Sequence, residues 1–115
     1  MSLPASERKE RKMPREKFKV IIKRPDEEYG HMTWISTKLE NLQKTVGGYI
    51  ETITIGKIVI ICNEEGKLLN LEPNIPLGNA DYLCGNIIVC GIKDDEFDDV
   101  PISLPEWKAM LKEGF

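Results

Sequence analysis

Histidine and paired cysteine are the scarcest chemistry in this chain. His31 is the single histidine among 115 residues, and Cys62, Cys84 and Cys90 are the only thiols. Three thiols cannot all pair within one chain, none stands in a Cys-x-x-Cys spacing, and their neighbours are apolar or small. Buried, reduced thiols are the expectation. A tetrahedral zinc site needs about four ligands, and His31 is far in sequence from every cysteine, so neither a metal nor any other cofactor is expected. Long apolar runs are also missing. The longest, Ile58-Val59-Ile60-Ile61-Cys62, falls far short of the ~20 residues that cross a bilayer. No apolar stretch follows the charged N-terminus to make a secretory signal. The expectation is a cytoplasmic protein with no membrane contact.

What is present is an ordinary globular mixture, 41% hydrophobic and 30% charged, in a length that supports one domain around one core. The net charge of −3 conceals an asymmetry. Residues 1–24 carry nine Lys/Arg against three Glu, and the remainder carries seven basic against sixteen acidic groups, so +6 stands against −9. Residues 1–16 are expected to form a basic N-terminal arm and residues 17–115 a single domain. Met1-Ser2-Leu3 reads as an expression leader, with Met13 as an alternative start. The arm contributes Arg8, Lys9, Arg11, Lys12 and Arg15, with Lys17 next. It offers no aromatic residue before Phe18 to stack a base and matches no docking motif. With an acidic body behind it, nucleic acid is disfavoured as a partner. A solvated arm, or one packed on a neighbouring copy, fits better.

Local patterning sets the elements. Phe18–Lys23 reads as a strand ended by Arg24-Pro25. Residues 26–31 form an acidic turn, and Met32–Ile35 a short strand. Thr37 with Glu40 makes a capping-box pattern for a helix whose Leu39, Leu42 and Val46 face the core, stopped by Gly47. Tyr49–Ile55 alternates as a strand, Gly56-Lys57 makes a two-residue hairpin turn, and Ile58–Cys62 returns as an interior strand. Asn63–Gly66 is a tight turn into a strand at Lys67–Asn70. Residues 72–81 have loop composition. Asn86–Ile92 is a strand and residues 94–99 an exposed acidic loop. A last helix starts at Ser103, with Pro105, with Glu106 as box partner and with Trp107, Met110 and Leu111 as its buried stripe; Gly114 ends it. The order β-(β)-α-β-β-β-β-α predicts an α+β fold, a mostly antiparallel sheet of four to six strands with two short helices. Two such helices cannot cover both faces, so one face is expected to be partly open.

Three stretches, Val46-Gly47-Gly48-Tyr49-Ile50-Glu51, Ile61-Cys62-Asn63-Glu64-Glu65-Gly66-Lys67-Leu68 and Leu71-Glu72-Pro73-Asn74, occur in a succession that resembles domain-of-unknown-function family 3846. Its members are small proteins common in bacteriophages, plasmids and integrated elements of Gram-positive bacteria. The likeness spans roughly residues 38 to 103. It implies an accessory protein of mobile-element type and carries no activity with it, since the family has none agreed.

The candidate sites divide between structural and chemical readings. Gly47-Gly48 follows a helix rather than opening one, so a helix stop is preferred over a phosphate cradle. Glu64 and Glu65 could act as acid and base, but adjacent turn residues point apart and read better as a solvated turn. His31 lacks a partner identifiable from sequence. The acidic run 94–99 could serve as a DNA-mimicking or protein-docking surface and reads first as a solvated loop. Asn63, Asn70, Asn74 and Asn79 surround one loop region and are the best candidates for contacting a ligand, although asparagines more often cap turns. The inventory points first to a non-catalytic module that binds a host protein or itself. A small-molecule or nucleotide-signal binder using residues 63–82 comes second, and an undescribed hydrolase last.

Overall fold

The computed structural model describes residues 16–78 and 80–115. The elements are β1 (Lys17–Lys23), β2 (His31–Ser36), α1 (Leu39–Val46), β3 (Ile50–Ile55), β4 (Ile58–Asn63), β5 (Pro73–Gly78), β6 (Asp81–Cys84), β7 (Ile87–Lys93), β8 (Glu96–Asp98) and α2 (Leu104–Glu113). The α+β class is as expected: a six-stranded antiparallel sheet in the order β2-β1-β7-β4-β3, with β8 added to β7, and a two-stranded β5–β6 ribbon. The basic-arm reading of residues 1–16 falls, apart from Glu16, outside the described residues.

The three interior strands are apolar on both faces because both faces are covered. Val20 and Ile22, Val59 and Ile61, and Ile88 and Cys90 point to one side, where Leu42 and Val46 of α1 close over them. Ile21, Ile58, Ile60, Ile87 and Val89 point to the other, against Ile75 and Leu83 of the ribbon, Val100 and Ile102 of the segment before α2, and Trp107 of α2 itself. Burying each such side chain contributes roughly 1.5–3 kcal/mol. The partly open face expected above is therefore corrected: the ribbon supplies the cover that two helices could not. That ribbon occupies residues read as a loop, and Lys67–Asn70, read as a strand, is instead a turn with Asn70 in the left-handed region at φ 58°. The acidic run 94–99 also departs from a plain loop. Asp94 and Asp95 make a positive-φ turn, and β8 pairs back on Ile92 as Ile92↔Phe97.

Both glycines assigned to chain reversals are where they are needed. Gly47, at φ 86°, ends α1 with its N–H on Gln43 O, and Gly56, at φ 59°, turns the β3–β4 hairpin. The α1 start differs from the capping-box reading. Lys38 holds the cap position and its side chain caps nothing. Ser36 Oγ accepts from Lys38 N at 3.1 Å and from Asn41 Nδ2 at 2.9 Å, while Thr37 N donates to Glu16 O. That entry turns Leu39 outward, 55% exposed, and leaves Leu42 and Val46 to anchor the helix.

The α2 start matches its sequence signature. Ser103 Oγ accepts from Glu106 N at 3.2 Å, and Glu106 Oε1 accepts from Ser103 N at 2.7 Å. Ser103→Ala should lower the urea unfolding free energy by about 1 kcal/mol, the usual cost of losing such a cap. A change below a few tenths would show that tertiary packing alone fixes this helix end.

Candidate functional site

The side chains that sequence singled out do not gather around one ligand position. Asn63 is buried, its Nδ2 donating to Val46 O at 3.2 Å and its Oδ1 accepting from Glu65 N at 2.7 Å. It therefore satisfies one of the orphan carbonyls at the end of α1 and holds the following turn. Asn74 Nδ2 donates to Lys23 O and Gly85 O, both at 2.8 Å, and its Oδ1 accepts from Lys23 Nζ at 2.6 Å. That amide ties β1 to the ribbon and partners a buried lysine. Asn70 is exposed in its left-handed turn, a backbone role asparagine fills more readily than most residues. Asn79 lies outside the described residues.

A cleft opens nearby, of about 250 Å³, between the cleft-facing side of β3 and the ribbon. Its walls are Ile53, Leu68, Leu77 and Tyr82, and Asn63 contributes from the end of β4. The 64–71 turn closes one end, held by Leu69 N on Glu65 O (2.9 Å) and Leu71 N on Gly66 O (3.0 Å). This turn pushes Leu68 and Leu69 into solvent, 85% and 52% exposed. Across the mouth, Lys67 Nζ hydrogen-bonds Asp81 Oδ1 and lies 4.8 Å from the centroid of the Tyr82 ring. The hydrogen bond to Asp81 raises the lysine pKa and lowers that of the aspartate. Glu51, Glu64 and Glu65 complete the rim, and none forms an ion pair with a described residue. The cleft is thus mixed within, its lining rather more polar than apolar, with Ile53, Leu77 and Leu83 as its apolar part and Glu51, Glu64 and Glu65 at its edge.

A second cluster was not legible as a site from sequence. His31 Nδ1 lies 2.9 Å from Glu27 Oε2, while Glu27 Oε1 accepts from Arg24 N at 2.8 Å. Burial works to raise the Glu27 pKa, but the bonds from Arg24 N and His31 and the nearby positive charge bring it below the usual carboxylate value. The i, i+4 spacing was the available signal, although these residues sit on a turn rather than a helix. The pair has the carboxylate–imidazole arrangement that orients a general base. No serine, threonine or cysteine among the described residues hydrogen-bonds to that ring.

The thiols are buried and free, as expected. Burial, with the Glu51 charge, pushes Cys62 up to about 11, and burial with the Asp98 charge pushes Cys90 up to about 12. Such thiols are poor nucleophiles at neutral pH. Among the described residues no group of three or more His, Cys, Asp or Glu side chains is placed to hold a metal ion. No helix among them is long and apolar enough to cross a membrane. A family model described as Domain of unknown function (DUF3846) matches residues 18–112. No curated protein and no solved structure matches the chain.

Proposed function

The chain belongs to the DUF3846 family, whose description assigns no activity, and from its own surface we propose that it is a non-catalytic protein-interaction module. In this reading it is an accessory protein of phage or mobile-element type, working in the cytoplasm on a host protein or on itself. One observation carries the reading: Leu68 and Tyr82 stand exposed at one cleft, and Leu69, which follows Leu68 in the chain, is exposed as well. An isolated exposed leucine is unremarkable, but Leu68 and Tyr82 on one concavity, with a second exposed leucine following in the chain, make a patch of the kind partners cover. A small-molecule reading uses the same cleft, yet at about 250 Å³ it falls below the roughly 300–1,000 Å³ usual for ligand pockets. The Glu27–His31 pair is what supports the hydrolase reading. It ranks last because no nucleophile bonds to that imidazole among the described residues.

Site-specific photocrosslinking tests the module. A photoreactive residue at position 68 should capture one discrete protein from cells that carry the gene, and the same residue at position 40, on α1, should not. Leu69→Asp should abolish the capture while leaving the fold intact. Capture that is equal from both positions would remove the patch as an interaction surface.

A further inference from the structure

The outer edge of β3 has its backbone parity set by one bond. Glu64 N donates to Tyr49 O at 2.9 Å, in register with Ile50↔Asn63 and Glu51↔Cys62. Antiparallel pairs alternate between bonded and non-bonded, so Tyr49, Glu51, Ile53 and Ile55 spend their backbone groups on β4. Ile50, Thr52 and Thr54 therefore direct their N–H and C=O groups outward. Among the described residues no strand pairs with that edge. Edges are commonly blunted by a proline, an inward charge or a bulge. This one carries no proline, and its β4 register runs unbroken from Ile50 to Ile55.

Side chains beside that edge have an order. Glu51 and Ile53 share one face, because strand side chains alternate, and both line the cleft. A strand laid antiparallel on β3 would place one residue opposite Ile53, near Leu77 and Tyr82. Its residue two positions later would lie opposite Glu51, and the next on that face would reach the Glu64-Glu65 turn. Those first two positions are non-hydrogen-bonded pairs on the new edge, where side chains come closest.

We propose that β3 accepts an extended basic peptide as an added antiparallel strand, with a sequence of the form apolar-x-Lys/Arg-x-Lys/Arg. This rests on the protein-interaction reading above and deepens it. The apolar residue enters the cleft beside Ile53, and the cationic residues meet Glu51 and the Glu64-Glu65 turn, three carboxylates without an ion-pair partner among the described residues. Three outward donors and three outward acceptors supply the main-chain bonds, and the cleft supplies the side-chain selection, which is the general logic of strand addition.

The test uses the full chain and a fluorescent threonine-rich peptide carrying Val, Lys and Arg at those alternate positions. Anisotropy should saturate with a Kd of about 10–100 μM at low salt, and binding should weaken several-fold at about 0.5 M salt. Thr52→Pro removes an outward N–H and no bond to β4, and should weaken binding by about tenfold or more. Glu51→Gln, Glu64→Gln and Glu65→Gln together should cost about 5–10-fold at low salt and little at high salt. If Thr52→Pro disturbs the fold, a peptide N-methylated at the residue opposite Thr52 gives the same reading with unaltered protein. A folded protein that ignores the peptide, or that binds it equally well after either backbone block, overturns the proposal. So does a full chain that self-associates through this edge and dissociates on Thr52→Pro, because a second copy is then the occupant. If crosslinking from position 68 still captures one protein while the peptide fails, strand addition falls and the interaction module stands. If both fail, both fall.

Discussion

Replacing Trp107 with alanine is expected to lower the unfolding free energy by about 3–5 kcal/mol, the range for deleting a large buried aromatic. The side chain is fully buried, and its Nε1 donates to Tyr29 O at 2.8 Å. It thereby fastens α2 to the loop that follows β1, and its ring lies 5.9 Å from that of Phe115. Deletion removes the apolar burial, leaves a cavity on the ribbon side of the sheet and takes a donor from the Tyr29 carbonyl. A domain of this size has about 5–15 kcal/mol in total, so one substitution takes a large fraction of it. Trp107→Phe should cost less, because most of the volume stays and only the hydrogen bond and part of the contact go. The other tryptophan, Trp34, is 53% exposed. A Trp34→Phe background therefore makes fluorescence report on Trp107 alone, and urea titration gives the difference. A loss below about 1 kcal/mol would mean that α2 is not docked as described.

Alkaline pH should produce the second largest effect. The unfolded thiols titrate near their ordinary value of 9.0, whereas burial first, and then a neighbouring carboxylate, holds folded Cys62 up to about 11 and Cys90 up to about 12. Between those values the folded state keeps protons that the unfolded state has released, so stability falls as pH rises. The thiols' contribution is fully present below pH 9, declines above it, and is gone once the folded thiols ionise. At about 1.4 kcal/mol per unit for each group, the two together should cost roughly 2–3 kcal/mol by pH ~10. Lys23 acts in the opposite direction. Burial lowers its pKa despite the charges of Glu27 and Asp26, so its folding penalty is relieved as pH climbs toward 10.5. Urea midpoints at pH ~8 and ~10 measure the sum, and the Cys62→Ala/Cys90→Ala double variant should flatten the decline. A double variant whose midpoints change between the two pH values as much as the wild type's do would show that these thiols ionise freely in the folded chain.

The readable parts of this fold were those in which one short segment contains its own instructions. The β3–β4 hairpin has an alternating strand, a glycine turn and an apolar return strand, all within Ile50–Asn63. The α2 start has a serine, a proline and a glutamate in register. The ribbon defeated the same reasoning because Pro73, Pro76 and Gly78 argue against strands. They are accommodated here because β5 pairs on one side only and its register shifts twice, at Pro73/Ile75 and Pro76/Gly78. Leu68-Leu69 misled in the reverse sense. Two adjacent leucines suggested a strand with something to bury, and the structure leaves both in solvent. For the candidate site, Asn63 and Asn74 are found in framework contacts rather than at one shared ligand position, and of the two Asn63 lines the cleft. Their amides hold nearby backbone, whereas the apolar part of the lining, Ile53, Leu77 and Leu83, consists of residues that composition alone could not distinguish from core.

The central strand is made late in the chain, and this has a consequence for synthesis. β7 lies between β1 and β4, joined to them through Ile21↔Val89 and Ile60↔Val89. Until it leaves the ribosome, neither neighbour has its partner on that side. Roughly 70 residues separate the end of β1 from the end of β7, about 4–14 s at ordinary translation rates. For the last roughly 30 residues of it, about 1.5–6 s at the same rates, the run Ile58–Cys62 can pair with β3 on one edge and leaves the other edge and the apolar face opposite α1 uncovered. Closing the β1–β7 loop is entropically slow as well. The nascent chain therefore passes through a sticky, half-paired hairpin stage, and its yield in a cell depends on how well that hairpin is kept from other chains until Val89 arrives.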